Sequence, residues 1–429
     1  MEQVECIVVG GGLAGLSAAY GLAAAGAEVM LLERGDYSGA KNVTGGRLYL
    51  GPIRRLYPEL WPEAPFERPV ARELVTMMGD GAHVTVETAS DRFAGAQPQS
   101  FTVLRARLDQ WLAERVGEKG GMVVTGMKVD ELLRKEGRIV GIRAGGDEIG
   151  AGVVIVAEGA LRLLASEAGL AAEPEARHNA LGYKEVIELP AGVIEDRWQL
   201  NPGEGAAQLF MGACTRGMMG GAFLYTNRES ISLGMVVGME QMRRRKDGTQ
   251  SWQLVDAFKE LPQIRPLVAG GTVAEYSAHA IPEGGISQVP KLAGDGYLIA
   301  GDTAGLSLNA LITVRGMDFA IASGYHAARA VLAAREAGDY SAAGLASYEA
   351  ALRDSFVLKD LETAREIPAF MENPRLFTIY PRAVTRLLET VYTVSDQPQP
   401  GLVRRAWRSA RRDLGVAATL RDAWSMRKI

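Results

Sequence analysis

Between Cys6 and Glu33 the chain reads CIVVGGGLAGLSAAYGLAAAGAEVMLLE, and this stretch constrains the fold more than any other. An apolar run from Cys6 to Val9 meets Gly10-Gly11-Gly12-Leu13-Ala14-Gly15. An Ala/Leu-rich helical stretch follows, and a second apolar run, Val29 to Leu32, ends in Glu33. Gly10 allows the tight turn out of a strand, Gly12 lets backbone approach a pyrophosphate, and Gly15 lets helix and strand pack closely. The helix opening at Leu13 and Ala14 offers unpaired amides and a positive dipole end to the same phosphates. Glu33, 18 residues beyond Gly15, is placed to accept hydrogen bonds from an adenosine ribose. Glycines at this spacing also occur in ordinary βαβ turns. Strand, helix, second strand and terminal acid in the right order point to a dinucleotide site.

At 429 residues the chain is too long for one ordinary core, so two packed domains are expected. Its 51 glycines, about 12% against the usual ~7%, suit close backbone approach to a large cofactor. The net charge of −4 gives no reason to expect nucleic-acid binding. No stretch approaches the ~18 apolar residues of a membrane span, and no basic leader precedes the first strand. A cytoplasmic location is therefore expected. The two cysteines, Cys6 and Cys214, cannot supply the four thiolates of a cubane iron–sulfur cluster, so any such cluster belongs to a partner. His83, His178, His279 and His326 lack metal-ligand spacing, and no metal site is expected.

Further along, Ser38 to Gly46 is a turn-rich loop and Ile53 to Trp61 reads as a short helix. Ala71 to Thr88 reads as strands. SFTVLRARLDQWLAERVGEKG is a strand entering an amphipathic helix whose apolar stripe is Leu108, Trp111 and Leu112. Met122 to Lys128 reads as a strand, and residues 130–158 as a hairpin followed by the apolar strand Val153 to Gly159. Between 180 and 280 helical periodicity fades into short β-like runs, a sheet domain inserted in the first. GYLIAGDTAG (Gly296 to Gly305) then ends a strand in Gly301-Asp302 before a long small-residue helix. Such a strand end can set a carboxylate beside a ribityl chain or merely cap a turn. Paired with the N-terminal fingerprint, it shifts the nucleotide from NAD towards FAD. No second strand–GxGxxG–helix unit follows, so electrons must come from a transiently docked nucleotide or another protein. The expected layout is an α/β chain: a Rossmann-type FAD domain (1–70, 100–165, 285–335), an antiparallel sheet domain (71–99, 166–284) and a helical C-terminal region (336–429).

Longer motifs then resemble the FixC/EtfC group of the electron-transfer-flavoprotein–quinone oxidoreductase family, within the wider geranylgeranyl-reductase-like flavoproteins. The residues are AKNVTGGRLY (Ala40 to Tyr49), VLRARLDQWL (Val103 to Leu112), GVIEDRWQL (Gly192 to Leu200), MGGAFLYTN (Met219 to Asn227), EYSAHAIPEGG (Glu275 to Gly285) and GDTAG…TVRGMDFAI. The resemblance spans residues 1 to about 395. It implies non-covalent FAD in a p-hydroxybenzoate-hydroxylase-like architecture. Gly10, Gly12, Leu13, Ala14 and Gly15 would hold the pyrophosphate, Glu33 the ribose, Arg105 the phosphates and Asp302, after Gly301, the ribityl chain. Lys41 and Gly45 lie in the loop near the flavin; Arg34, Lys128, Val129 and Gly159 complete the set. Arg315-Gly316-Met317 would begin a helix whose N-terminus faces the flavin N1/O2 edge and stabilises the charge that reduction leaves there.

Two departures stand out. Leu311-Ile312 replaces the family's Gly and aromatic before TxRGMD, which reduces backbone freedom at the flavin's reactive face. Ala157-Glu158-Gly159 replaces Ala-Asp-Gly or Ala-Thr-Gly, and the longer carboxylate is expected still to support that turn.

The resemblance further implies a FixABCX-type electron-bifurcating assembly. Electrons from NADH reach this chain through electron transfer flavoprotein α and β subunits and pass to ubiquinone or menaquinone. A partner branch reduces ferredoxin or flavodoxin, and a small ferredoxin-like subunit (FixX/EtfX) carries 4Fe-4S clusters. No catalytic side chain is required, because the flavin carries the redox chemistry. The rivals are a geranylgeranyl-reductase-like enzyme, an NAD(P)H-dependent monooxygenase and a non-catalytic assembly subunit. Six of the 15 methionines fall between Met211 and Met242, beside Phe210, Phe223 and Tyr225, and suit either a quinone pocket or a sheet core. Residues 404–429 carry eight basic and two acidic side chains with Trp407 and Trp424, which suits either a peripheral contact with the cytoplasmic membrane face or a partner subunit.

Overall fold

The computed structural model describes residues 2–42 and 46–427. It divides into two compact units. One comprises Met1–Glu67, Gln99–Asn179 and His279–Arg365, the other Arg68–Pro98, Ala180–Ala278 and Glu366–Ile429.

The first unit opens with β1 (Glu2–Val9), α1 (Leu13–Ala24) and β2 (Val29–Leu32). Five parallel strands lie in the spatial order Met122–Val124, β2, β1, Asp147–Val156, Tyr297–Ile299. Cys6, Ile7, Val8, Val154 and Ile155 are wholly buried, because a parallel sheet covered on both faces needs continuous apolar runs rather than alternation. An antiparallel hairpin, Val129–Lys135 with Arg138–Ala144, extends from Asp147–Gly150. The chain moves outward from β1 on one side and adds later strands on the other. The reversal between β1 and Asp147–Val156 opens a crevice at the strands' carboxyl ends, where ligands of such sheets bind.

Against this sheet α1 meets the 21-residue helix Met317–Ala337. Small residues permit the approach: a Cβ on Gly324 would fall 2.1 Å from the Ala14 carbonyl oxygen, and Ser17 Oγ donates to Ile321 O at 2.7 Å. Two local expectations are corrected here. Ile53 to Trp61 is a run of turns leading into a 3-10 turn at Trp61–Glu63, since Pro58 lacks an amide and disfavours helical backbone at Tyr57. The strand expected to reach Lys128 stops at Val124, because the chain then turns across the end of β2. Gly126 donates to Gly35 O at 2.8 Å and Met127 to Glu33 O at 2.9 Å.

The second unit is built on a seven-stranded sheet in the order Thr272–Pro282, Asn179–Glu188, Ser230–Gly238, Gly220–Thr226, Gly205–Gly212, Val70–Met78, His83–Ala89. It is mixed rather than purely antiparallel. Gly205–Gly212 runs parallel to Val70–Met78, which arrives from the distant 68–98 segment and so needs no hairpin connection. Strand parity divides the aromatic and methionine cluster. Phe210, Met235 and Tyr183 turn to a core closed by Leu254, Val255 and Phe258, while Met211, Phe223 and Tyr225 lie half-buried on the opposite face.

Candidate functional site

The fingerprint glycines divide their labour by geometry. Gly10 ends β1 at φ +106°, and a Cβ there would strike the Ala157 carbonyl oxygen at 2.3 Å. A Cβ on Gly15 would fall 2.0 Å from the Gly10 oxygen, so helix and turn touch through backbone. Gly12 differs: its missing Cβ faces open space, with Arg105 Nη2, 3.9 Å away, as sole described neighbour. Beside it lie the first-turn amides of α1, which lack intrahelical acceptors, and that turn contains no acidic side chain. An open cradle, an unneutralised helix N-terminus and a guanidinium together fit a pyrophosphate.

Arg105 is aimed by its own helix, Arg105–Glu118. Buried Asp109, one turn on, accepts from Arg105 Nε at 2.8 Å and Nη2 at 2.7 Å, and accepts from Asn42 Nδ2 at 2.6 Å. Glu33, at the end of β2, is buried and accepts backbone amides from Gly11 at 2.7 Å and Gly35 at 2.6 Å. It therefore locks the glycine turn to β2, with a lone pair left on each oxygen for ribose hydroxyls.

Gly301-Asp302 follows the strand Tyr297–Ile299 and comes beside α1, where a Cβ on Gly301 (φ +62°) would fall 2.7 Å from Ala14 Cβ. Gly159, at φ +91°, is tied to the same turn. Its amide donates to Thr303 Oγ1 at 2.8 Å, and Thr303 returns a bond to Gly159 O at 3.2 Å. Burial pushes the Asp302 carboxyl up, opposed by His279, Arg105 and Arg162. Burial pushes the His279 imidazole down; Asp302 opposes this, while Arg105 and Arg34 add to it. Arg34, Arg105 and Arg162 thus act on the Asp302–His279 pair, and Arg105 is held at the same time by Asp109.

Other expected residues take different places. Lys128 is exposed and pairs with Asp130 at 3.4 Å; buried Val129 begins the strand Val129–Lys135. Lys41 is exposed, and Gly45 lies outside the described residues. Gly316 precedes Met317–Ala337, and Met317 reaches back to Gly46, its Cε 3.0 Å from where a Cβ would stand. Arg315 is a clamp on this helix start. It donates to Asp318 Oδ2 at 2.7 Å and Asp360 Oδ2 at 2.5 Å, and its guanidinium stacks 4.5 Å from the Phe319 ring centroid.

Both departures resolve structurally. Leu311 sits at φ +66° in the loop between Leu308–Asn309 and Val314–Arg315, so the backbone keeps a left-handed turn despite the branched side chain. Glu158 accepts from the amides of Leu164 at 2.9 Å and Ala165 at 2.8 Å, capping the next helix; burial raises its carboxyl and those amides oppose the rise.

Sequence reasoning passed over three groups. His279 was set aside with the other histidines. Glu283, in the quoted EYSAHAIPEGG run, is pushed up to about 7 by burial, with Asn309 Nδ2 at 3.4 Å opposing. Arg162 is buried at φ +51° and donates to Gln288 O at 3.2 Å. No motif announces it, because its position depends on the left-handed turn after Gly159.

Comparison with known proteins places this geometry. Residues 5–182 match the FAD dependent oxidoreductase family model, and 367–429 match the ETF-QO/FixC family C-terminal domain. The chain is 43% identical over 418 residues to Protein FixC of Salmonella typhi, covering 97% of both chains. It is 43% identical over 422 residues to the probable electron transfer flavoprotein-quinone oxidoreductase YdiS of Escherichia coli, covering 98% of this chain and 97% of that one. Among solved structures, a geranylgeranyl bacteriochlorophyll reductase-like protein from Thermoplasma acidophilum aligns with TM-score 0.72 at 18% identity, over 98% of this chain and 99% of that one. The myxobacterial FAD-dependent halogenase CndH aligns with TM-score 0.64 at 19% identity, over 96% and 97%. These structural likenesses carry the fold alone.

Proposed function

The chain belongs to the ETF-QO/FixC family of FAD-dependent oxidoreductases, and from that premise we propose that it is the electron-transfer subunit of a FixABCX/EtfABCX-type bifurcating complex. In this reading it takes electrons from an electron transfer flavoprotein α/β pair and delivers them to ubiquinone or menaquinone at the cytoplasmic membrane face. NADH is the ultimate donor, a partner branch reduces ferredoxin or flavodoxin, and a ferredoxin-like FixX/EtfX subunit brings the 4Fe-4S clusters.

One observation carries the reading. A chain matching Protein FixC over 97% of its length shows, among the described residues, one dinucleotide cradle, and both of its thiols are buried. Burial raises the Cys6 and Cys214 thiols, which opposes the thiolate form that a cluster needs.

Bound FAD supplies the one- and two-electron chemistry. The chain's own residues have positioning roles. Gly12, the α1 amides and Arg105 bind the diphosphate; Glu33 and Asp109 hold that cradle in shape. Gly159 and Thr303 fix the turn that aims Asp302. Arg315 and Asp318 hold the start of Met317–Ala337. To the quinone ring we assign the half-buried sheet face of Met211, Phe223 and Tyr225, whose two aromatic rings stack 5.0 Å apart.

An anaerobic NADH titration followed by visible absorbance tests this. The flavin of the isolated chain should stay oxidised, bleach once the α/β pair is added and recover with a quinone analogue. Direct bleaching of the isolated chain would replace this reading with a self-contained reductase or monooxygenase.

A further inference from the structure

Among the described residues two arginines are buried, and they are served differently. Arg68, in the second unit, donates to Glu195 Oε1 at 2.7 Å, to Asn227 O at 2.6 Å and to the carbonyls of Glu204 and Arg228 at 2.8 Å. Its charge is paired and its donors are used, the ordinary condition of a buried guanidinium. Arg162, 6% exposed in the first unit, donates to Gln288 O at 3.2 Å, and no described carboxylate accepts from it. Glu158, just before it in the chain, uses its two oxygens on the amides of Leu164 and Ala165. Asp302 acts on Arg162 through its field alone, and His279 and Arg105 share that carboxyl. Burial pushes the Arg162 guanidinium down, and Asp302 opposes this.

The chain holds this side chain in place against two penalties. Arg162 stands at φ +51°, a left-handed backbone that an L side chain seldom adopts. A buried charge without a hydrogen-bonded counter-ion adds a desolvation penalty. Neither favours folding, and a group kept in place against both points to a ligand of opposite sign. Which end of the dinucleotide it serves follows from the turn Gly301–Gly305. A Cβ on Gly301 would fall 2.7 Å from Ala14 Cβ on α1, beside the diphosphate cradle, whereas a Cβ on Gly305 would fall 2.5 Å from Arg162 Nη2. Arg162 is thus at the far end of this turn from α1, where the chain runs on to the paired strands Leu308–Asn309 and Val314–Arg315. The helix start at Met317 does not supply the positive charge expected at the flavin, since Asp318 and Asp360 neutralise Arg315.

Reduction by an electron pair with a single proton leaves the isoalloxazine one negative charge, which a fixed cation in a low-dielectric site stabilises. We propose that Arg162 is the counter-charge for reduced FAD: its guanidinium offsets the negative charge that reduction places on the ring and so raises the flavin's midpoint potential. The proposal needs bound FAD but neither partner subunits nor a quinone, so it and the relay reading fail separately.

The test is the midpoint potential of the full FAD-loaded chain, taken by dithionite titration against reference dyes, beside the dissociation constant of oxidised FAD read by flavin fluorescence. Arg162→Gln should bind oxidised FAD within about threefold of wild type and reduced FAD at least about tenfold more weakly, which lowers the two-electron potential by ~30 mV or more. Arg162→Lys keeps the charge and should recover most of that shift. Three outcomes would overturn the proposal. One is an unchanged potential in Arg162→Gln. Another is equal loss of affinity for both redox forms, which would make Arg162 a ligand of the diphosphate. The third is the same downward shift in Arg162→Lys as in Arg162→Gln, which would trace the effect to shape rather than charge.

Discussion

Among the described residues of the first unit, two α-helices start directly after a glycine, and they are finished differently. At Gly12, α1 begins with no acid in its first turn, open space where a Cβ would stand and Arg105 facing it. At Gly316, the helix Met317–Ala337 begins with buried Asp318, already paired with Arg315. The same backbone device therefore carries a carboxylate in its first turn at one terminus and none at the other. The first terminus keeps its amides and dipole end open to an incoming anion. The second is neutralised by its own carboxylate, and Arg315, read from sequence as a cofactor contact, is engaged in holding it. Glycine before a helix is a weak signal by itself; the charge in the first turn decides what that helix can bind.

The largest expected effect breaks the first terminus. In Gly15→Ala the new methyl would meet the Gly10 oxygen at 2.0 Å, and backbone cannot yield as a side chain can. The protein should purify without FAD absorbance near neutrality, if it folds at all. Arg315→Gln breaks the second terminus by leaving Asp318 buried without its guanidinium. It should lower stability by about 3–5 kcal/mol in denaturant titration.

Glu283 sharpens the comparison, because it contacts the segment leading into the second terminus through Asn309. Its carboxyl rises from 4.5 to about 7 on burial. The neutral form is the one the fold favours, so its contribution is complete below 4.5 and lost as pH rises through 7. Glu283→Gln should therefore melt higher than wild type at pH 8, by up to about 3 kcal/mol in stability, with the difference gone near pH 4. The smallest effect belongs to Leu311. Replacing it with Gly relieves a left-handed backbone and should stabilise by about 1 kcal/mol, provided its side chain contributes little packing.

Legibility followed the range of the interactions. β1, α1, β2 and the roles of Gly10, Gly12 and Gly15 were readable because each residue type has a consequence within a few positions. Ile53 to Trp61 forms turns instead of the expected helix because Pro58 removes an amide and restricts Tyr57. The parallel pairing of Val70–Met78 with Gly205–Gly212 was hidden because the two strands lie far apart in the chain. Arg162, His279 and Asp302 meet from segments more than a hundred residues apart in the first case, so no local pattern could join them. Leu311 reverses a propensity rule, holding a glycine conformation with a branched side chain.

The most direct test of this contrast is the FAD dissociation constant of Arg105→Gln beside that of Arg315→Gln, read by flavin fluorescence under conditions where both variants are folded. Loss of a charged hydrogen bond at Arg105 should weaken FAD binding by ~10- to 100-fold, while Arg315→Gln should stay within about threefold of wild type. The reverse ranking would mean that the diphosphate is not held at α1 and that Arg315 is a ligand rather than a clamp.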